Sequence, residues 1–283
     1  MKKILFFAII SIVILDSCTE RVDIELDQQK FARIVVEGSI DTDTTAHLIK
    51  LTKTGDYFQN EPPQPVSGAA VTIITDEEEF LLTEQPANSG KYYTEPDVFG
   101  EIDKEYTLRI LLNEEIGGQM EYTATSTIYP IAPLDSISLE YHDDWGPYNF
   151  WEVKCYVLDP PTTDFYMFNI YRNDTLITDT ITNVGVTDDI LYNGNYTNGI
   201  GVAFLNQAYK SQKVNAGDVL TLKVSRITQE YFDFVWQVQT EVSYQSPLFS
   251  GPPANVEGNI SDGGFGFFTA SSNSRASAVV PEL

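Results

Sequence analysis

The sequence predicts a mainly β protein, with an N-terminal β-sandwich followed by a second β-rich domain that carries one α-helix. Two observations favour strands. Short apolar segments alternate with polar residues and are separated by Gly, Pro, Asn and Asp. The 16 Tyr and 16 Phe suit strands, and the 18 Gly and 14 Pro supply turns. A third observation, one segment with apolar residues at helical spacing, predicts the helix.

The first half contains seven candidate strands with turn signals between them, a pattern typical of an immunoglobulin-like β-sandwich of about a hundred residues. We assign this domain to residues 31–130. The acidic run Asp76–Glu79 lies between two strands and is interpreted as a solvated hairpin turn. The predicted strands are Arg33–Ser39, Ala46–Lys53, Ala70–Thr75, Phe80–Thr83, Lys91–Thr94, Tyr106–Leu112 and Glu121–Ile128.

The segment Pro130-Ile131-Ala132-Pro133 predicts the domain boundary, because proline restricts its neighbour and lacks the N–H that a sheet ladder uses. The second domain then covers residues 131–283. Its candidate strands again follow from alternation and turn residues. They are Asp135–Tyr141, Asn149–Leu158, Phe165–Tyr171, Thr175–Ile181, Val219–Arg226, Gly264–Ser271 and Arg275–Val280.

The helix is predicted at 228–242, near the end of the second domain. Apolar residues recur at helical spacing from Tyr231 to Val242, with Phe232 and Trp236 beside them. Thr228 precedes this run and is a suitable N-cap. We expect the aromatic stripe to pack against a sheet rather than to bind a cofactor.

The composition excludes several classes of protein. The chain has 17 Lys plus Arg against 41 Asp plus Glu, a formal net charge of −24 at pH 7. Such a surface repels phosphate groups, so the charge argues against nucleic-acid binding and against polybasic docking on lipid. Hydrophobic residues make up 42%, which excludes a disordered chain. Two Cys exclude a disulfide framework, and two His leave little room for a histidine-rich metal site.

The N-terminus has the pattern of an export signal. Two lysines precede an apolar run from Ile4 to Leu15, and its 12 residues are fewer than the ~20 that a membrane-spanning helix needs. Leu15-Asp16-Ser17-Cys18 resembles a bacterial lipobox, although Asp16 stands where that pattern has a small uncharged residue. The resemblance implies cleavage before Cys18 and its lipidation, which would anchor the chain in a bilayer. An ordinary secretory signal with an incidental Cys is the alternative.

The residues that follow the signal peptide 1–17 form an acidic tether, 18–30, with too few apolar positions to pack. Thr19 follows Cys18, whereas Asp at that position retains many lipoproteins at the inner membrane. The acidic tether also resembles the export signal of surface lipoproteins in some Gram-negative bacteria. We therefore expect an outer-membrane, lipid-anchored, surface-exposed protein, with the periplasm-facing leaflet as the alternative.

Six segments and the aromatic helix follow one another in a characteristic order along the chain. The helix stands between the last two of these segments, which are Ile34–Gly38, Val66–Val71, Gly90–Tyr93, Tyr106–Ile110, Pro133–Ile137 and Asn259–Phe268. In this order they resemble domain-of-unknown-function family 4249, which comprises uncharacterised lipoproteins of Gram-negative outer membranes. The resemblance covers nearly the whole chain after the signal peptide and implies no catalytic residue. Because members commonly accompany TonB-dependent transporters, it implies an accessory role in uptake. The first half also resembles transthyretin-like and carboxypeptidase-regulatory sandwiches.

Catalytic motifs are absent from the sequence: it has no zinc-protease helix motif, phosphate-binding loop or serine nucleophile elbow, so we expect no enzyme activity and no cofactor. Asp41–Thr45 begins like a calcium loop, but Ala46 and Thr52 replace its Gly and its bidentate acid, and an acidic turn explains the run as well. Cys155 shares the phase of apolar residues on its strand, which predicts a buried, unreactive thiol. His47 lies in a predicted strand, where we expect a structural role.

Two loops are candidates for contact with a ligand or a partner. The later one in the chain, called the second loop, is Tyr192–Gly199 and carries Tyr192 and Tyr196 among turn-forming residues. In the earlier one, called the first loop, aromatic side chains stand beside carboxylates, a combination that can stack on sugar rings or anchor a protein interface. Its alternative is that the aromatic residues fold back onto the edge of the sandwich. The candidate residues of the first loop are His142, Asp143, Asp144, Trp145 and Tyr148.

These observations favour an interaction subunit that is anchored in the bilayer through Cys18 and docks on a TonB-dependent nutrient transporter of the outer membrane. The alternative is a surface protein that captures a glycan or a peptide by itself. An enzyme is less favoured because no nucleophile–base pair or metal motif is recognisable. An adhesive or structural surface protein is also compatible with the fold, since sandwiches host many functions.

Overall fold

The computed structural model describes residues 32–55, 62–144, 147–242 and 256–283. This part of the chain is mainly β, with fifteen strands and one α-helix, α1 (Gln229–Val242), which confirms the predicted fold class. The strands are β1 Ile34–Asp41, β2 Leu48–Lys53, β3 Ala70–Ile74, β4 Glu79–Glu84, β5 Lys91–Tyr93, β6 Glu105–Ile116, β7 Gln119–Thr127, β8 Ser136–His142, β9 Phe150–Tyr156, β10 Phe165–Arg172, β11 Thr175–Leu176, β12 Gly185–Asp188, β13 Ile200–Asn206, β14 Val219–Ile227 and β15 Phe265–Val279.

The N-terminal part of the fold is a sheet with the strand order β15-β1-β2-β5-β4-β3-β6-β7. The sheet curves back on itself, so that β7 lies beside β15, where the amide of Ala270 donates a hydrogen bond of 2.8 Å to Ser126 Oγ. Alternate residues of the strands point inwards, as the period of two requires. The largest side chains that they bury completely are Tyr92, Tyr106 and Tyr122.

The second core lies between two sheets. One face comes from β10, β14 and the C-terminal half of β15, with β11 and β12 following one another along the outer edge of β10. The other face is a three-stranded sheet with the order β13-β9-β8. Trp151 and Val153 of β9 pack in one cluster with Phe168 of β10 and Leu222 of β14. The outer side of the three-stranded sheet is therefore free for polar residues.

Strand β15 belongs to both parts. Its first half pairs in parallel with β1, from Val35↔Phe265 to Asp41↔Ser271, and its second half pairs antiparallel with β14. Phe268 consequently lies in the first core. The predicted domain 131–283 has to be corrected for this strand, because the C-terminal segment completes the sheet of the first sandwich. The two strands predicted for this segment, Gly264–Ser271 and Arg275–Val280, form one continuous strand in the structure.

Helix α1 begins one residue after Thr228, whose Oγ1 accepts a hydrogen bond of 3.2 Å from the amide of Tyr231, as an N-cap does. The ring of Tyr231 packs against Phe267 of β15, with 5.0 Å between the ring centroids. Val235 is fully buried, whereas Trp236 is largely exposed. The predicted packing of the aromatic stripe is therefore confirmed for one side of the helix. In the described ranges, no helix has the length and apolar character to cross a bilayer.

Most predicted strands differ from the observed ones only at their ends. There are two exceptions: the two predicted strands that form one strand, β15, and Thr175–Ile181, of which only Thr175–Leu176 forms a strand. Strands β12 and β13 were not predicted, because Gly185–Asp188 and Ile200–Asn206 lie in a stretch rich in Gly, Asn and Thr. Their partners β10 and β9 impose the extended conformation there.

Candidate interaction site

Two loops meet at one end of the second core, and we call them together the loop platform: residues 157–164, which join β9 to β10, and residues 189–197, which lead from β12 towards β13. They are joined by backbone hydrogen bonds, among them one of 3.1 Å from the amide of Asp159 to the carbonyl of Asn195. The amide of Gly194 also lies 3.4 Å from the Asp159 carboxylate. The two loops therefore form one connected layer.

Three buried aspartates lie inside the loop platform. Asp159, Asp164 and Asp189 are each at most 3% exposed, and one carboxylate oxygen from each lies within 4.8 Å of the others. The hydroxyl of Tyr166 lies 2.7 Å from Asp159 Oδ1 and 3.2 Å from Asp164 Oδ2. The guanidinium of Arg226 forms an ion pair with Asp164. Arg226 thus pairs with one of three buried carboxylates that lie close together.

Further donors hold these carboxylates in place. Asp189 Oδ2 accepts a hydrogen bond of 2.9 Å from the amide of Asp164, which ties one loop to the other. Thr162 Oγ1 donates a hydrogen bond of 2.9 Å to Asp164 Oδ2. Burial raises the pKa of Asp159 and the pKa of Asp189, because the charged form loses its hydration. Since protein donors already occupy much of the cluster, we interpret it as the support of the two loops rather than as an ion site.

The outer surface of the loop platform carries large apolar side chains. Ile190 and Leu191 are adjacent at the tip and are 75% and 89% exposed. Leu158, 62% exposed, and Tyr196, 40% exposed, form an isolated β-bridge between the two loops. The backbone at the tip is fixed from below, because the amide of Tyr192 donates a hydrogen bond of 2.8 Å to the carbonyl of Asp189. Apolar side chains on a supported surface are typical of a protein contact.

A narrow apolar cavity lies beneath the platform, between it and the second core. Its volume is about 20 Å³, room for about one water molecule. Cys155 and Tyr192 are among the residues that line it. Burial raises the pKa of the Cys155 thiol to about 12, so the thiol is not a nucleophile at neutral pH, in agreement with the prediction from its strand phase. A cavity of this size does not accept a sugar ring.

The first predicted loop is divided by the structure. Asp143 and Asp144 are exposed, and Tyr148 is half-exposed. His142 is not a loop residue: it ends β8 and is buried, with Nε2 2.8 Å from Glu152 Oε2. The prediction that His142 belongs to this loop is corrected, because its strand continues one residue further than expected. Trp145 lies outside the described residues.

The second predicted loop is part of the loop platform, with one correction. Tyr196 is exposed, whereas Tyr192 is buried in the second core, where burial raises the pKa of its phenol. The structure does not bring the two predicted loops together. Strand β9 separates them, since Phe150 at one end pairs with Asn206 and Cys155 near the other end pairs with Ile200.

The calcium alternative at Asp41–Thr45 does not fit the charges around it. Asp43 accepts hydrogen bonds from Lys223 at 3.1 Å and from Arg275 at 2.6 Å, and the bond from Arg275 holds the pKa of that carboxyl well below its usual range. Lys223 and Arg275 already neutralise these carboxylates, and the Lys223 side chain is only 12% exposed, so a calcium ion would have to displace a largely buried ammonium group. His47 is buried with Nε2 3.2 Å from the carbonyl of Val98, which agrees with a structural role.

A family model described as a domain of unknown function (DUF4249) matches residues 19–277. The chain belongs to this family. No curated protein is significantly similar to it. The DUF4249 match begins directly after Cys18, which itself lies outside the described residues, so lipidation there stays a prediction.

Sequence reasoning missed the apolar tip and the aspartates below it. A signal for the tip was present: Ile190 and Leu191 interrupt a stretch of turn-forming residues with two adjacent apolar side chains. Nothing local pointed to Asp159, Asp164 and Asp189, because exposed turn aspartates have the same sequence appearance. Only the pairing of β10 with β12 and the hydrogen bonds between the two loops bring them together.

Proposed function

We propose that this protein is a lipoprotein, anchored in the outer membrane through Cys18, that docks on a TonB-dependent nutrient transporter as an accessory interaction subunit. The observation that supports docking is the exposed pair Ile190 and Leu191 on the loop platform. Two apolar side chains that project from a backbone held by buried hydrogen bonds lose little conformational entropy on binding, which favours them as interface anchors. The lipid would confine the search for the partner to the membrane surface.

Charge also supports a protein partner over a lipid or nucleic-acid surface. The chain carries a formal charge of −24, so anionic headgroups and phosphates are repelled. At the tip itself the apolar residues stand next to Asp188, whose carboxylate accepts a bond from the amide of Ile190 at 3.4 Å. An apolar centre bordered by polar groups is typical of a specific protein interface.

The test is purification of the natural, lipidated protein in mild detergent, followed by identification of the proteins that co-purify. We expect the transporter barrel with the unchanged protein and at least about a tenfold smaller recovery with the double variant Ile190→Ser and Leu191→Ser. Leu81→Ser is the matched control, because Leu81 is 68% exposed but lies on β4 of the first sandwich. Equal recovery with the double variant and the control would overturn docking through the platform.

Two further measurements separate this proposal from its alternatives. Mass spectrometry of the natural protein is expected to find acyl chains on Cys18, and a bare thiol there would overturn the anchor. Capture of a glycan or peptide by itself predicts that the chain binds such a ligand without the transporter. The cavity of about 20 Å³ below the platform is too small to hold such a ligand at that place.

A further inference from the structure

A compact set of metal-ligating side chains lies on the outer side of the three-stranded sheet, away from the loop platform. Glu140 and His142 are two residues apart on β8, so they share one face of the sheet. Glu152 on the neighbouring strand β9 stands directly opposite Glu140. One ligand atom from each of the three residues lies within 4.8 Å of the others. Cross-strand register, rather than a flexible loop, positions this set.

Two of the three ligands are held tightly. His142 and Glu152 are 9% and 8% exposed, and a hydrogen bond of 2.8 Å joins His142 Nε2 to Glu152 Oε2, which a bound ion would replace. The carboxylate of Glu152 occupies space that a side chain at position 201 would fill, since a Cβ on Gly201 would lie 2.1 Å from Glu152 Oε1. Glu140 is exposed, which leaves one side of the set open to solvent.

Lys154 supplies the positive charge in this arrangement. Its ammonium group forms a salt bridge with Glu140 and lies 3.7 Å from Glu152 Oε2. Two carboxylates and one imidazole make a donor set that suits Zn²⁺ and related first-row ions. A divalent ion would neutralise the two negative charges, whereas the single ammonium group of Lys154 neutralises only one. The Lys154 side chain is 25% exposed and can turn into solvent when an ion enters.

We propose that Glu140, His142 and Glu152 form a binding site for a divalent transition-metal ion, with Zn²⁺ as the reference ion, and that Lys154 holds the two carboxylates together in the metal-free protein. Imidazole and carboxylate come from two paired strands, so the site needs no rearrangement of the backbone. This site is independent of docking through the loop platform. It assigns a role to the charged face of the three-stranded sheet.

The experiment is a titration of the full, metal-depleted chain with Zn²⁺ in competition with a chromophoric chelator. We expect one Zn²⁺ to bind tightly per chain, in addition to weak binding of Zn²⁺ by carboxylates elsewhere on the surface. His142→Asn should weaken this binding by about tenfold or more, because it removes the nitrogen ligand. Lys154→Met should strengthen it, since the competing ammonium is gone. Co²⁺ bound in place of Zn²⁺ should give the d–d absorption of a nitrogen–oxygen site, and His142→Asn should abolish that absorption.

Glu121→Gln is the matched control, because Glu121 is an exposed acid that pairs across strands with a cation, Arg109, at 2.7 Å. It should leave Zn²⁺ affinity unchanged. Because His142 is buried, its variant could lose binding by unfolding, and Lys154→Met avoids this difficulty since the residue is partly exposed. Zn²⁺ affinity that is the same in His142→Asn and the unchanged chain, or that does not rise in Lys154→Met, would overturn the proposal.

Discussion

The ammonium nitrogen of Lys223 lies 2.8 Å from the carboxylate of Asp41, although 182 residues separate the two in the sequence. Lys223 is on β14 of the second core, and Asp41 ends β1 of the first. The pair thus spans the junction that β15 forms between the two cores. Asp43 accepts a second hydrogen bond from Lys223, at 3.1 Å, so the junction is held by a small network of charges.

Asp43→Asn is expected to lower the free energy of unfolding at pH 7 by about 1–3 kcal/mol, because it removes charge-assisted hydrogen bonds from Lys223 and Arg275. The pKa of Asp43 is lowered in the folded protein, chiefly by the bond from Arg275. Its contribution is therefore present above the unfolded pKa of about 4 and is lost as the pH falls towards the folded value. Urea unfolding at pH 7 and at pH 3 measures this.

The matched control for the charge network is Glu114→Gln, which breaks the ion pair of an exposed carboxylate with Lys53. Exposed pairs contribute about 0–1 kcal/mol, so this variant should change little. If Asp43→Asn were no less stable than Glu114→Gln at pH 7, the network would not hold the junction.

Gly266→Ala is expected to lower the free energy of unfolding by more than about 3 kcal/mol. Gly266 has a φ of 91°, and a Cβ there would lie 1.9 Å from the carbonyl oxygen of Val36, its partner on β1. Gly217→Ala is the control that has backbone strain without a steric clash. Gly217 has a φ of 87° and no atom within 4 Å of the added Cβ, so the free energy of unfolding should fall by only about 1–2 kcal/mol. Similar losses in the two variants, measured by denaturant unfolding, would contradict the close approach of β1 and β15.

Asp189→Asn is expected to keep the stability at pH 7 or to raise it by up to about 1 kcal/mol, because the amide oxygen can still accept the hydrogen bond from Asp164 and no buried charge remains. Burial raises the pKa of Asp189 in the folded state. The native charged side chain therefore costs stability that increases as the pH rises from the unfolded pKa through the folded one. The advantage of Asp189→Asn should accordingly shrink in acid.

Asp189→Ala is the comparison for this prediction, since it removes the acceptor and should lower the free energy of unfolding by about 1–3 kcal/mol. Both variants would be compared by urea unfolding at pH 7 and pH 4. Equal destabilisation by Asn and Ala would mean that the charge itself, and not the hydrogen bond, supports the loop platform.

Thr228→Ala should lower the melting temperature, with a loss of about 1 kcal/mol, because the amide of Tyr231 loses its acceptor at the start of α1. Thr228→Ser keeps the hydroxyl and should melt close to the unchanged protein. Thermal unfolding followed by circular dichroism distinguishes the two, and equal melting of Ala and Ser variants would contradict the cap.

The strands whose pattern is local could be predicted from the sequence, and those imposed by a partner could not. In β14, Leu220, Leu222 and Val224 alternate with polar residues, and the predicted strand matches the observed one to within one residue. In β13, by contrast, Gly201 lies in a bulge against β9, and the local sequence has the composition of a loop. The two tyrosines of the second loop differ in the same way. Tyr196 is exposed, as a loop composition suggests, whereas Tyr192 is buried by contacts with the second core that the local sequence does not indicate.

By itself, the sequence determined the mainly β class, the helix after Thr228 and the membership of a family whose model matches residues 19–277. These features follow from residue periods and caps that act over a few positions. Only the tertiary structure decided that β15 joins both cores, that three aspartates share one buried cluster and that His142 faces Glu152. Such contacts depend on strand register and on segments far apart in the chain, and a short-range pattern carries no information about which strands will pair.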